Sequence, residues 1–237
     1  MKKRIWELDA LRGLWILLMI AIHLFYDLVD LYQIWQPCLP WLYDWSLTWG
    51  GTLFLVISGV SATLGSHPVK RGIQVFLCGM LCTLVTVGMY LLQFTDRGII
   101  IYFGVLQCLG CCMLLWPVFR RLPPWFLGIL GLALSLVGLY LIRNVYVSFP
   151  WLLPFGLRPR GFMSSDYYPL LPNFGYFLIG AALGKLLYRK KESLLPQVNE
   201  ETPLLRFLCF LGRKSLPIYL LHQPVLAGLI GLFIFLF

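Results

Sequence analysis

Five ionisable residues near the start of the chain fall in or beside one apolar segment: Asp9, Arg12, His23, Asp27 and Asp30. At about 100° per residue they lie within an arc of roughly 60° on one helix face. Ionisable groups in a membrane-length apolar run are costly, and those that occur are usually functional. His23 supplies an imidazole, which titrates near neutral pH and can take a proton from a hydroxyl or an amine. Asp27 follows one turn later, where a carboxylate can hold the ring and fix its tautomer. The stripe reads as part of a buried active site built for proton transfer. The structural alternative is a histidine hydrogen-bonded to a neighbouring helix to fix packing.

Other polar residues sit in apolar surroundings. His222, Gln223 and Pro224 fall about a third of the way along the final apolar segment. Proline frees a backbone carbonyl one turn earlier and opens space for a ligand. That group is a substrate-binding candidate or a structural polar cluster. Gln107 lies mid-segment, where an amide must find a partner, and polar positioning is its expected role. Ser58, before Gly59, is either a packing residue or a hydrogen-bond donor to substrate. Asp9 and Arg12, three residues apart, suit a boundary ion pair or a phosphate contact. Asp166 and Tyr167 are candidates to bind an acceptor, or else to cap a helix and order their loop.

The elements that must position these groups follow from composition. The chain of 237 residues is 59% hydrophobic and 12% charged, far from an average soluble domain. Seven apolar stretches approach the roughly 20 residues that cross a bilayer: 10–28, 47–64, 72–92, 98–118, 124–142, 174–188 and 216–237. The expectation is an all-α polytopic transmembrane bundle, one domain over 1–237. Of the 19 lysines and arginines, only Arg97, Arg143, Arg158 and Arg160 fall on the side opposite the N-terminus. The rest, including Lys2, Lys3, Arg4, Lys70, Arg71, Arg120 and Arg121, fall on its own side. The positive-inside rule then puts the N-terminus in the cytoplasm and the C-terminus outside. That bias accounts for most of the +9 net charge without nucleic acid.

Two connections are long. The external loop 143–173 is rich in proline, aromatics and glycine, and is expected to fold over the outer mouth. The cytoplasmic linker 189–203, with Lys190, Lys191, Glu192, Glu200 and Glu201, reads as a solvated connector. The basic N-terminus leads into an apolar segment too long for a cleaved signal, so it reads as a retained helix. Six of the seven cysteines lie in or beside spans, which suits packing rather than a disulfide framework. The three histidines lack metal-ligand spacing, and no internal repeat supports a transporter of the inverted-repeat type.

The motif Leu8-Asp9-Ala10-Leu11-Arg12-Gly13, nine intervening residues, then His23 resembles the opening of membrane-bound acyltransferase family 3. The rest of the chain is similar to the heparan-α-glucosaminide N-acetyltransferase catalytic-domain family, which shares that opening. The likeness runs through FLVISG at 54–59, GVLQCLG at 104–110, DYYPLLPNFG at 166–175 and GRKSLPIYLLHQPVL at 212–226. It implies transfer of an acyl group, usually acetyl, from cytosolic acetyl-CoA to a sugar amine or hydroxyl reached from the other side.

In that reading His23 is the general base and Asp27 its orienter. Asp9, Arg12, Lys70, Arg71, Arg120 and Arg121 face the donor's phosphates. Ser58, Gln107, Asp166, Tyr167, His222 and Gln223 line the acceptor site. His23 belongs to the acyltransferase family 3 pattern rather than to the lysosomal branch. Gln107 stands where related bacterial sequences often carry histidine. The resemblance implies a bacterial inner-membrane location, no metal and a core that a homodimer could complete. A small transporter or channel, or a membrane assembly factor without chemistry, would use the same stripe differently.

Overall fold

A computed structural model describes residues 5–198 and 202–236. Lys2, Lys3, Arg4, Glu200 and Glu201 lie outside them. Eight α-helices carry the described chain: α1 Trp6–Tyr26, α2 Pro40–Ala62, α3 Pro68–Leu91, α4 Val105–Phe119, α5 Pro124–Asn144, α6 Leu170–Leu187, α7 Pro203–Arg213 and α8 Ser215–Leu236. Proline stands at or near the first position of α3, α5 and α7, where its fixed φ suits a helix start and its missing N–H is no loss. Among the described residues, six helices are long and apolar enough to cross a membrane. In that count α1 runs on through a π-helical turn, Asp27–Leu31.

The expected span 98–118 is shorter as a helix. Its first residues form a 3-10 turn, Arg97–Ile99, and an extended stretch to Gly104. The 15 residues of α4 rise about 22 Å. A helix the sequence reading missed, α7, fills much of the stretch before α8.

The helices gather into two compact units. The first comprises 1–54 and 191–237, the second 55–190, and α2 contributes to both.

In the first unit α1 packs against α7 and α8. Gly13 and Gly212 allow the closest approach of α1 to α7, because a Cβ on either would strike the backbone carbonyl of Leu208 or Asp9. The Trp15 indole donates to the Gly50 carbonyl at 2.7 Å, fixing α2 to α1. The linker expected to be a solvated connector is tied down where it is described. Glu7 accepts from the Ser193 hydroxyl at 2.9 Å and from the Leu194 N–H at 2.7 Å.

In the second unit α4 and α6 hold most of the core. Leu106, Cys108, Leu109, Cys112, Phe177, Leu178 and Ala181 are buried. α3 lies antiparallel on α4, with Gly72 against Leu114 and Gly79 against Gln107. α5 lies antiparallel on α6, with Gly131 against Ile179 and Gly138 against Pro172. Close glycine-mediated contact of this kind stabilises helices where no hydrophobic driving force separates lipid from core. All seven cysteines are free thiols.

Candidate active site

α1 and α8 bring four sequence candidates together in the first unit. The rings of His23 and His222 meet edge to face, centroids 4.6 Å apart and planes at 82°. His23 Nδ1 lies 2.9 Å from the Met19 carbonyl oxygen, and His222 Nδ1 lies 2.5 Å from that of Tyr219. A carbonyl only accepts, so each Nδ1 carries a proton, and whenever either ring is neutral its lone pair lies on Nε2.

Asp27 takes a different role from the one its spacing suggested. It is fully buried, and its Oδ1 accepts from the Gln223 amide at 2.7 Å. The His23 ring instead meets the Met19 carbonyl one turn back. Helix geometry explains the correction: a helical histidine reaches the exposed face of the i−4 carbonyl, while the π-helical turn that begins at Asp27 re-aims the following side chains. The turn is closed by the Tyr32 N–H on the Asp27 carbonyl at 2.8 Å. Asp30, inside it, leaves the stripe. It is exposed and accepts from the Tyr43 hydroxyl.

Among the described residues, Asp27 Oδ2, His222 Nε2 and Gln223 Oε1 are buried without a hydrogen-bond partner. A buried polar atom left unmade costs about 1–3 kcal/mol. With Asp27 ionised and His222 neutral, all three orphans are acceptors, and what completes them is a group rich in N–H or O–H. Pro224 in α8 adds to this, because it has no N–H for the carbonyl four residues before it.

Asp9 and Arg12 stand at the start of α1 and form an ion pair at 3.1 Å, the boundary pairing their spacing allows.

The second unit holds the remaining candidates. Lys70 and Arg71 open α3, while Arg120 and Arg121 follow the end of α4. The antiparallel packing of these helices puts all four at one end, and all four are exposed. Lys185 ties α6 to that end by donating to the carbonyls of Arg120 and Leu122, both at 2.6 Å. Ser58 is buried in α2, beside Gly59, where a Cβ would collide with the Phe177 carbonyl of α6.

Gln107 is fully committed inside its unit. Its amide nitrogen donates to the Gly79 carbonyl at 2.9 Å and the Thr83 hydroxyl at 2.7 Å. Its oxygen accepts from the Gly104 N–H at 2.9 Å.

Asp166 caps α4 rather than α6, its Oδ2 accepting from the Val105 N–H at 3.0 Å across 61 residues of sequence. The Tyr167 hydroxyl donates to the Leu153 carbonyl at 2.7 Å. Burial holds this phenol above its ordinary range, against the opposing pull of the Arg158 charge. Loop 143–173 is ordered by one bridge of its own and by contacts to the stretch before α4: Tyr146 bridges to Arg158, Phe103 bridges to Tyr167, and the Ser164 and Ser165 hydroxyls donate to the carbonyls of Ile100 and Ile99.

The family model for the heparan-alpha-glucosaminide N-acetyltransferase catalytic domain matches residues 4–224. The chain belongs to this family. The match runs from before Asp9 to Pro224, so it contains both histidines, Asp27 and Gln223. Membership of a catalytic N-acetyltransferase family, with helices fit to cross a bilayer, makes this a multi-pass membrane acetyltransferase by class. No curated protein and no solved structure matches the chain.

The groups around the two histidines that sequence reading missed are backbone ones. The carbonyls of Met19 and Tyr219 set both histidine tautomers, and side-chain spacing carries no signal for them.

Proposed function

We propose that the protein transfers an acetyl group from acetyl-CoA to an amine or hydroxyl of a sugar or glycan, with His23 as general base. The observation that supports this most is the presence of two imidazoles whose Nδ1 protons are engaged by backbone carbonyls, beside a buried carboxylate with one bare oxygen. His23 Nε2 takes a proton from the acceptor as the acceptor atom bonds to the acetyl carbonyl carbon. The carbon–sulfur bond breaks and the departing thiolate takes the proton from His23 Nε2, leaving as the thiol and restoring the base.

The acceptor-only set of Asp27 Oδ2, His222 Nε2 and Gln223 Oε1 favours an amine, which brings several N–H donors on one atom. Asp27 then acts as a holder of the acceptor rather than of the histidine ring. Lys70, Arg71, Arg120 and Arg121 give the second unit a cationic end suited to the phosphates of the donor. The positive-inside rule assigns that end to the cytoplasm, with the acceptor arriving from the other face.

The experiment is acetyl transfer by purified protein with His23→Gln and His23→Ala variants, read beside acetyl-CoA binding. The proposal expects transfer to fall by about 10²–10⁴ with donor binding intact. Full transfer in a folded His23→Ala protein would refute the base.

A further inference from the structure

Two of the eight described helices, α4 and α7, fall outside the six fit to cross a bilayer, and α7 is the shorter. Its 11 residues rise about 16 Å, roughly half a hydrocarbon core. Only Lys214 separates it from α8, which is long enough to span. α7 therefore sits at the level where α8 enters the membrane.

Its faces are sorted in a way a solvated helix would not be. Cys209 and Gly212 are buried on α1, with the Cys209 thiol 3.4 Å from the Trp6 carbonyl. Leu204, Phe207 and Phe210 are 67%, 50% and 52% exposed. At about 100° per residue those three cover an arc of roughly 120°, bordered beside Phe210 by Arg206 and Arg213. Arg206, Arg213 and Lys214 are all exposed, and α7 contains no acidic residue.

We propose that α7 is an interfacial helix docked on anionic phospholipid. Leu204, Phe207 and Phe210 enter the acyl boundary, and Arg206, Arg213 and Lys214 reach the headgroups. An exposed aromatic and aliphatic face with a basic border is the pattern that lies in a membrane surface, and basic side chains at that depth draw acidic lipids. Because Gly212 packs on the backbone of Asp9, the same docking steadies the first turns of α1.

The test replaces Phe207, or in a second variant Phe210, with the photo-crosslinker benzoylphenylalanine. The full chain is placed in nanodiscs of equal phosphatidylcholine and phosphatidylglycerol, and adducts are identified by mass spectrometry. Two attachment sites keep the experiment decisive if one variant misfolds. The expected result is phospholipid adducts enriched about fivefold or more in phosphatidylglycerol, with the enrichment lost in the R206Q/R213Q/K214Q triple variant. Crosslinks to protein alone would overturn the proposal. So would lipid adducts that follow the lipid mixture equally in the parent and the triple variant.

Discussion

The rings of His222 and His23 meet nearly at right angles at 4.6 Å between centroids, and a backbone carbonyl of its own helix holds the Nδ1 of each. In the proposed mechanism the two imidazoles are not redundant. One can take the acceptor proton while the other keeps the acceptor in place. His222→Gln is therefore expected to raise KM for the acceptor more than it lowers kcat, whereas His23→Gln lowers kcat. Steady-state kinetics on both variants separates the roles.

Gln223→Ala strips Asp27 of its hydrogen bond and leaves both carboxylate oxygens bare in a buried site. The expected cost is about 1–3 kcal/mol, seen as a lower Tm in detergent. Asp27→Asn in the same background removes the charge and should recover part of the loss. A Tm unchanged by Gln223→Ala would show that the bond carries no stability.

The crossing of α1 on α7 allows no side chain at Gly13 or Gly212. Gly212→Ala places a methyl group against the Asp9 carbonyl, and Gly13→Ala places one against that of Leu208. Backbone on both sides leaves little room to relax, so each substitution is expected to cost about 1–3 kcal/mol. Gly228→Ala, where a Cβ meets nothing within 4 Å, serves as the control and should leave Tm unchanged.

Asp166 holds the N-terminus of α4 from a distant loop. Asp166→Ala is expected to cost about 0.5–2 kcal/mol and to expose residues 143–173 to limited proteolysis. Asp166→Asn, which keeps an acceptor oxygen, should be cut more slowly than the alanine variant.

Tyr167 gives a pH signature. Its phenol is raised in the folded protein by burial, so the folded state holds a proton that the unfolded chain gives up near pH 10. Stability from this group is complete below that pH and declines as pH rises through the folded value. Tyr167→Phe should make the alkaline fall in Tm shallower. An identical slope in both proteins would refute the assignment.

The all-helical membrane class and the place of most spans were readable because apolar length is a strong signal, while the number of helices was not, since α7 was missed and the span at 98–118 is shorter as a helix. What sequence could not reveal was partner choice. Asp27 is one helical turn from His23, yet its bond goes to Gln223, 196 residues away, since the ring already has a carbonyl within its own helix. Asp166 likewise looked like a cap for the helix it precedes and instead caps α4. α7 escaped notice because its apolar residues blend with those of α8, although Pro203 and the Arg213–Lys214 pair mark its two ends.

The division of the first unit between residues 1–54 and 191–237 sets an order for biogenesis. α1 enters the bilayer first and carries a carboxylate whose hydrogen-bond donor, Gln223, is synthesised 196 residues later. Until α8 follows, Asp27 has no amide to meet and Glu7 has no linker to hold. A stalled or truncated nascent chain therefore shows lipid an uncompensated polar stripe, the kind of feature by which membrane proteases and insertases tell unfinished proteins from finished ones. The residues proposed for chemistry would in this way also report that α8 has joined α1.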